Sequence, residues 1–328
     1  MKLEDVGEKA LIDLAREICE KNPEVFIGIG DDAAVVKLGE KDFLAVTTDM
    51  LIEDIHFTSK NPPGKLGKKV VVINLSDIAA MGANPMGLVY SLGIPKSKDV
   101  EYVSELLKGM NSAAQKYGTS IVGGDLNEGK EIIISGTAFG RSEEDELLLR
   151  SGAKPGDIIG ITGELGNAAA AVKALTKGIP LEDKGQLEES FLEPTARVKE
   201  GRLLSKSGKV TSAIDISDGL ATTLWQISRA SEVGIVVDFE KIPISEATEA
   251  FAKEEDVNLD DLVLFGGEDF ELLFTVDSEA WEDLKDSFRK LDTKISKIGK
   301  IQSEKGVYLH RGENLEKFPD RGYEHFRK

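Results

Sequence analysis

Val46-Thr47-Thr48-Asp49, with His56 seven positions further on, places two hydroxyls and a carboxylate directly after an apolar run. Phe43 to Val46 reads as the end of a buried strand. Polar groups at such an end face the crevice where an α/β sheet receives ligands. Carboxylates recur in similar settings. Asp31 and Asp32 follow the Gly28-Ile29-Gly30 turn, and Asp125 follows Gly123-Gly124. Asp215 follows Ala213-Ile214, and Asp218 lies in Ser217-Asp218-Gly219. Taken singly, each has an ordinary role as a turn residue or a helix cap. Taken as a set, they could converge. Oxygen donors without a histidine or cysteine cluster suit Mg²⁺ rather than zinc, and the chain has only three histidines (His56, His310, His325) and one cysteine. Mg²⁺ takes a few carboxylates together with substrate phosphates. Many carboxylates therefore imply several ions and a polyphosphate substrate.

Asp77 is the sharpest anomaly. It interrupts Val70-Val71-Val72-Ile73-Asn74-Leu75-Ser76-Asp77-Ile78-Ala79-Ala80-Met81, a helix apolar on most sides. Such a helix is buried. A lone buried carboxylate costs several kcal/mol unless something pairs with it, and its neighbours are mostly acids and amides. A bound cation resolves the conflict; an exposed helix edge is the alternative.

Around these residues the chain alternates strands and helices. Ala33 to Leu38 and Phe43 to Thr48 can pair across Gly39 to Asp42. Lys65 to Gly82 reads as a helix and Gly87 to Ile94 as a strand. Val100, Val103, Leu107, Met110, Ala114 and Tyr117 keep the 3.6 period of a long helix that Gly118 caps. Ser120 to Gly124 reads as a short strand ending at Asp125, Glu131 to Gly140 as a longer one, and Arg141 to Glu146 as structureless. The domain boundary falls there, giving domains 1–146 and 147–328. Asp157 to Thr162, Ala213-Ile214, Gly234 to Phe239, Phe270 to Val276, Lys294 to Ile301 and Val307 to His310 read as later strands. Gly178 to Glu189 reads as a polar loop or lid. A Gly-Gly-acid turn in each half, at Gly123 to Asp125 and Gly266 to Glu268, hints at related halves. The fold class is α/β with mixed sheets.

The net charge of -18 argues against a nucleic-acid partner held by phosphate contacts and against docking on an anionic membrane. One cysteine permits no intrachain disulfide, which fits a reducing, cytoplasmic setting. Cys19 sits on an amphipathic helix and reads as a small core hydrophobe. Met1 to Lys21 resembles neither a signal nor a transit peptide, and no apolar run approaches the ~20 residues that span a bilayer. The Walker Gly-x-x-x-x-Gly-Lys-Ser/Thr pattern is missing, and so is the protein-kinase motif set.

Eight collinear motifs resemble the thiamine-monophosphate kinase family. They are Gly28 to Ala33; Thr47-Thr48-Asp49 with His56; Asn74 to Ala83; Gly123-Gly124-Asp125; Arg150 to Asp157; Asp215 to Gly219; Gly267-Glu268-Asp269; and Gly322 to Phe326. The resemblance covers essentially the whole chain. It implies a two-domain PurM-like fold of the aminoimidazole-ribonucleotide synthetase superfamily. N-terminal strands of such a fold form a β-barrel across a homodimer, and the C-terminal α/β domain completes the active site.

The activity it implies is ATP-dependent, Mg²⁺-assisted phosphorylation of thiamine phosphate to thiamine diphosphate, with no general base. By the same resemblance Asp32, Thr47, Thr48, Asp49, Asp77, Asp125, Asp215 and Asp218 match metal positions. Tyr117, Gly124, Asp125, Arg150 and Ser217 match ATP positions. His56, Glu268 and Tyr323 match positions that hold thiamine phosphate. Other members of the superfamily, a synthetase or a hydrogenase-maturation-type protein, are the alternative. A nucleotide-binding regulatory protein without turnover is a more distant one.

Overall fold

The computed structural model describes residues 2–181 and 184–326. Its first half is a six-stranded sheet. The strands are β1 (Val25–Ile27), β2 (Ala34–Lys37), β3 (Asp42–Ile52), β4 (Asn84–Ile94), β5 (Ile121–Glu128) and β6 (Ile133–Glu143), in the order β1-β2-β3-β6-β4-β5. The β2–β3 hairpin has the register its apolar alternation demands, with Ala34 opposite Val46. Phe43, Ala45, Thr47 and Leu51 of β3 turn inward, the period of two that a half-buried strand requires.

Three helices belong to this half: α1 (Leu3–Ile18), α2 (Pro63–Ala80) and α3 (Val100–Lys116). Pro63 starts α2, where its fixed φ and missing N–H are tolerated. Asp99 caps α3 by accepting from the Tyr102 N–H at 2.7 Å. Helix α2 lies between the sheet, α3 and the second half of the chain. Its backbone is approached so closely that positions at its contacts must be glycine. A Cβ on Gly67 would stand 2.2 Å from the Leu106 carbonyl oxygen of α3.

The second half is a seven-stranded sheet of β7 (Ile158–Thr162), β8 (Val210–Ile216), β9 (Gly234–Asp238), β10 (Glu271–Val276), β11 (Ile295–Gln302), β12 (Gly306–Arg311) and β13 (Asn314–Lys317). Its order is β13-β12-β9-β11-β7-β10-β8. Helices α4 (Asn167–Thr176), α5 (Gln186–Leu192), α6 (Val198–Lys206), α7 (Leu220–Ser231), α8 (Glu246–Glu254), α9 (Leu259–Val263) and α10 (Trp281–Phe288) accompany it. Both sheets are mixed: β4–β5 and β12–β9 pair in parallel, the other pairs antiparallel. A Cβ on Gly201 of α6 would stand 2.1 Å from the Ala79 carbonyl oxygen, a further close approach to α2. The cores interlock, because Ala196, Val198 and Phe270 pack into the core of the first half. No helix among the described residues is long and apolar enough to cross a membrane.

Several elements differ from the sequence reading. Strand β5 runs through Asp125 instead of ending at it, and Gly124 belongs to the strand because a Cβ there would meet the Tyr90 carbonyl oxygen at 2.1 Å. The two Gly-Gly-acid segments are therefore unlike, one a strand and the other a loop. Strand β6 continues to Glu143, because it pairs with β3 as far as Asp42 and Arg141 Nε donates to Asp42 Oδ1 at 2.5 Å. Part of Gly178 to Glu189 is helical from Gln186 onward, and residues 182–183 of that stretch lie outside the described residues. Cys19 is exposed at the end of α1 and is not a core residue.

Candidate active site

Asp32, Asp77 and Asp215 reach one point from three elements: the turn before β2, the helix α2 and the strand β8. One carboxylate oxygen from each lies within 4.8 Å of the other two. Like charges at that spacing repel by roughly 3 kcal/mol per pair at an effective dielectric of ~20. The surroundings offset this only in part. Asp32 Oδ1 accepts from Arg150 Nε at 3.1 Å and Nη2 at 2.6 Å. Asp215 accepts from Ser76 Oγ at 2.6 Å, and Asp77 accepts from Thr47 Oγ1. Asp32 Oδ2 is buried with no hydrogen-bond partner among the described residues.

Burial, and then the neighbouring acids, pushes Asp215 up to about 8 and Asp77 well above the carboxylate range. Burial also raises Asp32, although Arg150 pulls it the other way. By surface area Asp77 is only half-buried, yet its titration is that of a group crowded by protein. A side chain open to solvent on one side and crowded by Asp49, Asp215 and Asp32 on the others satisfies both observations. One guanidinium cannot neutralise three carboxylates. The donor set, hard oxygens with an orphaned lone pair, fits a divalent cation of the Mg²⁺ type.

A further pair of acids stands nearby. Asp49 follows Thr47 on the same face of β3, and Asp218 begins the turn into α7. Burial and then Asp218 raise Asp49 to about 6. Burial and then Glu8 of α1 raise Asp218 to about 6. Asp31 also rises to about 6 through burial and its neighbour Asp32.

Rings and a further carboxylate stand next to these acids. His56 Nδ1 accepts from the Ile52 N–H at 3.1 Å, so a neutral ring carries its proton on Nε2. Burial and then His325 lower the His56 pKa, while Glu268 pulls it upward. The His325 ring lies edge-on to His56 at 5.5 Å and to Tyr323 at 5.0 Å. The C-terminal tail is held there by the Tyr323 N–H donating to the Asp218 carbonyl at 3.1 Å and the His325 N–H donating to Glu8 at 3.2 Å. Glu268 sits in the loop before β10, and Ser217 supports that loop by accepting from the Glu268 N–H at 2.7 Å.

Thr48 and Asp125 are not brought to the carboxylate cluster. Successive residues of a strand face opposite sides, and Thr48 turns away from α2 to donate to the Gly136 carbonyl at 2.7 Å. Asp125 pairs with Ser91, one row from the Asp49–Gly136–Tyr90–Gly124 row, and is exposed. Gly124 lies on the Asp49 row. Tyr117 ends α3, with its hydroxyl oxygen accepting from the Ala196 N–H at 2.9 Å. Lys69, which pairs with Glu268, was not legible as a site residue. A lysine inside an apolar helix, seven positions before Ser76, was the available signal.

The N-terminal domain of the AIR synthase related proteins matches residues 30–142, and the C-terminal domain of the same family matches 154–312. A thiamine-monophosphate kinase of Pyrococcus horikoshii is 40% identical over 299 residues, 91% of either chain. A solved structure of AaThiL complexed with AMPPCP and TMP superposes with a TM-score of 0.86 at 30% identity and covers 99% of both chains. The hydrogenase maturation protein HypE of E. coli superposes with a TM-score of 0.71 at 20% identity, covering 95% of this chain and 97% of its own. That last likeness is one of fold.

Proposed function

The chain belongs to the AIR synthase related family and, within it, to the thiamine-monophosphate kinases; from that premise we propose that it transfers the γ-phosphoryl group of ATP to thiamine phosphate, giving thiamine diphosphate and ADP. The observation that carries this reading is the convergence of Asp32, Asp77 and Asp215 within 4.8 Å. It supplies what the joining of two polyanions needs, a fixed site for divalent cations.

Asp32, Asp77 and Asp215 would hold the first Mg²⁺, with Asp49 and Asp218 beside them for another. When bound, such ions neutralise phosphate oxygens and fix their geometry. The rest belongs to the chain. A phosphate monoester has its second pKa near ~6, so the attacking oxygen is already ionised at neutral pH and no side chain is needed as base. Arg150 orients Asp32 by two hydrogen bonds and places positive charge next to the ATP phosphates. Gly124, Ser217 and Tyr117 complete the ATP positions. His56, Glu268 and Tyr323 receive the acceptor, with the anionic carboxylate matched to its cationic thiazolium ring and the aromatic rings available for stacking.

Thr48 and Asp125 lie on the sheet face opposite α2. Met50, on that face, is 48% exposed. An uncovered apolar side chain there supports a homodimer packed on this face, in which the two residues would lie at a subunit boundary. A boundary after residue 146 is supported by the change from the first sheet to the second. A cytoplasmic setting accords with a biosynthetic kinase.

The test is ADP release from Mg-ATP with thiamine phosphate, free thiamine and no acceptor run in parallel, with the product identified. ADP and thiamine diphosphate formed one for one, and only with thiamine phosphate, is the expected result. ADP without that product would move the chain to a synthetase-type or hydrogenase-maturation-type activity.

A further inference from the structure

Lys69 of α2 is 2% exposed, an uncommon setting for a lysine. It lies seven residues before Ser76 and so shares the helix face that looks toward the second half of the chain. Its ammonium stands 3.0 Å from Oε1 and 3.0 Å from Oε2 of Glu268. It also lies 3.9 Å from the centre of the Phe191 ring of α5. Carboxylate and ring enclose it, so Lys69 is not itself open to solvent. Glu268 is, with its side chain 26% exposed.

The main chain beneath Glu268 is fixed independently. Its φ of 67° and the φ of 51° at buried Phe270 are left-handed values that non-glycine residues adopt only when their surroundings hold them there. The Glu268 N–H bond to Ser217 is one such hold. This leaves the direction of the carboxylate to its side-chain torsions, and Lys69 is the group that sets them. A buried ion pair is a poor device for stability, since apolar residues of similar volume do as well. The arrangement is explained by orientation instead.

We propose that Lys69 is a positioning residue for the acceptor substrate: it holds the Glu268 carboxylate in the one orientation that receives the cationic heterocycle. This rests on the kinase reading above. A preoriented carboxylate needs no ordering when the substrate arrives, so Lys69 acts on acceptor affinity and leaves the ATP positions alone.

The experiment compares wild type, Lys69→Met, Glu268→Gln and the double variant by steady-state kinetics and thermal unfolding. Lys69→Met should raise KM for thiamine phosphate about 10- to 100-fold, the range for a lost hydrogen bond to a charged group. KM for ATP and kcat at saturating acceptor should stay within about 3-fold of wild type. The double variant should be no worse than the worse single one, because residues acting through one contact are not additive. Lys69→Arg should restore most of the acceptor affinity, since a guanidinium also grips a carboxylate with two donors.

Multiplying effects in the double variant would overturn the proposal. So would a Lys69→Met enzyme whose ATP KM rises together with its acceptor KM, the mark of a merely structural role. Glu268→Gln with unchanged acceptor KM overturns it even where Lys69→Met does not fold. A wild-type chain that forms no thiamine diphosphate overturns the kinase reading itself, an outcome separate from turnover that is indifferent to Lys69.

Discussion

Ser76 Oγ donates to Asp215 Oδ2 at 2.6 Å, both residues buried, across 139 positions of sequence. The next residue of α2, Asp77, meets the same carboxylate cluster. Two consecutive residues of one helix thus tie the first half of the chain to the second at the point where the acids converge. The site depends on α2 being held at a fixed depth between the two sheets.

Replacing Asp77 tests the cluster most directly. Asp77→Asn keeps the shape and the bond from Thr47 but removes the charge. We expect kcat to fall about 100- to 1000-fold, as when a preorganised electrostatic group is lost. Without divalent cations the thermal midpoint should hold or rise, because a repelling charge is gone. Near-wild-type turnover at saturating Mg²⁺ would show that the cluster is not the metal site.

The raised pKa values set the pH dependence of stability. Asp215 titrates at about 8 in the folded chain, and Asp31, Asp49 and Asp218 at about 6, against 3.8 for an ordinary aspartate. Between these limits the folded chain binds protons that the unfolded chain has released. Stability from these groups is therefore present at low pH and is lost as pH rises through about 6 and then about 8. In the presence of a chelator the thermal midpoint should drop between about pH 5 and pH 8. The gain from added Mg²⁺ should grow over the same interval, because the cation competes with those protons. Equal gains at both ends would place cation binding elsewhere.

Glycine at 67 and 201 is required by helix approach. Gly67→Ala and Gly201→Ala each drive a methyl into a carbonyl at 2.2 and 2.1 Å. Each should cost about 1–3 kcal/mol, read by denaturant unfolding. Activity should suffer as well, because α2 must shift and it carries Asp77. Gly39→Ala is the control: the nearest atom, the Cβ of Asp42, is 3.7 Å away, and the change should stay within about 0.5 kcal/mol.

Substitutions at Tyr323 test the proposed acceptor end independently of the metal end. Its ring stands 5.0 Å from that of His325, and its hydroxyl lies 3.3 Å from His325 Nδ1. Tyr323→Ala should raise KM for thiamine phosphate roughly 3- to 10-fold, the scale of one aromatic contact, with KM for ATP unchanged. Tyr323→Phe should stay close to wild type if the ring is what matters. A rise in ATP KM alone would assign the tail to the nucleotide.

The amino-acid sequence determined the elements and the chemistry of the cluster. The apolar ring around Asp77 announced a buried helix holding a carboxylate that needed a partner. The apolar run from Phe43 to Val46 marked a strand but not its end: β3 continues through Thr47 and Asp49 to Ile52, because it stays paired with β6 over that length. Hard donors without histidine or cysteine clusters pointed to a cation of the Mg²⁺ type. These are local properties, written in spacing and residue type. Convergence is not local. That Asp32, Asp77 and Asp215 meet depends on how α2 packs against β8, a contact between residues 139 apart or nearly so. The sheet register decided that Thr48 turns away while Thr47 turns in, because a strand alternates faces and one position reverses the direction. Lys69 was hidden for the same reason: a lysine in an apolar helix has no visible partner until Glu268, 199 residues later, is folded against it.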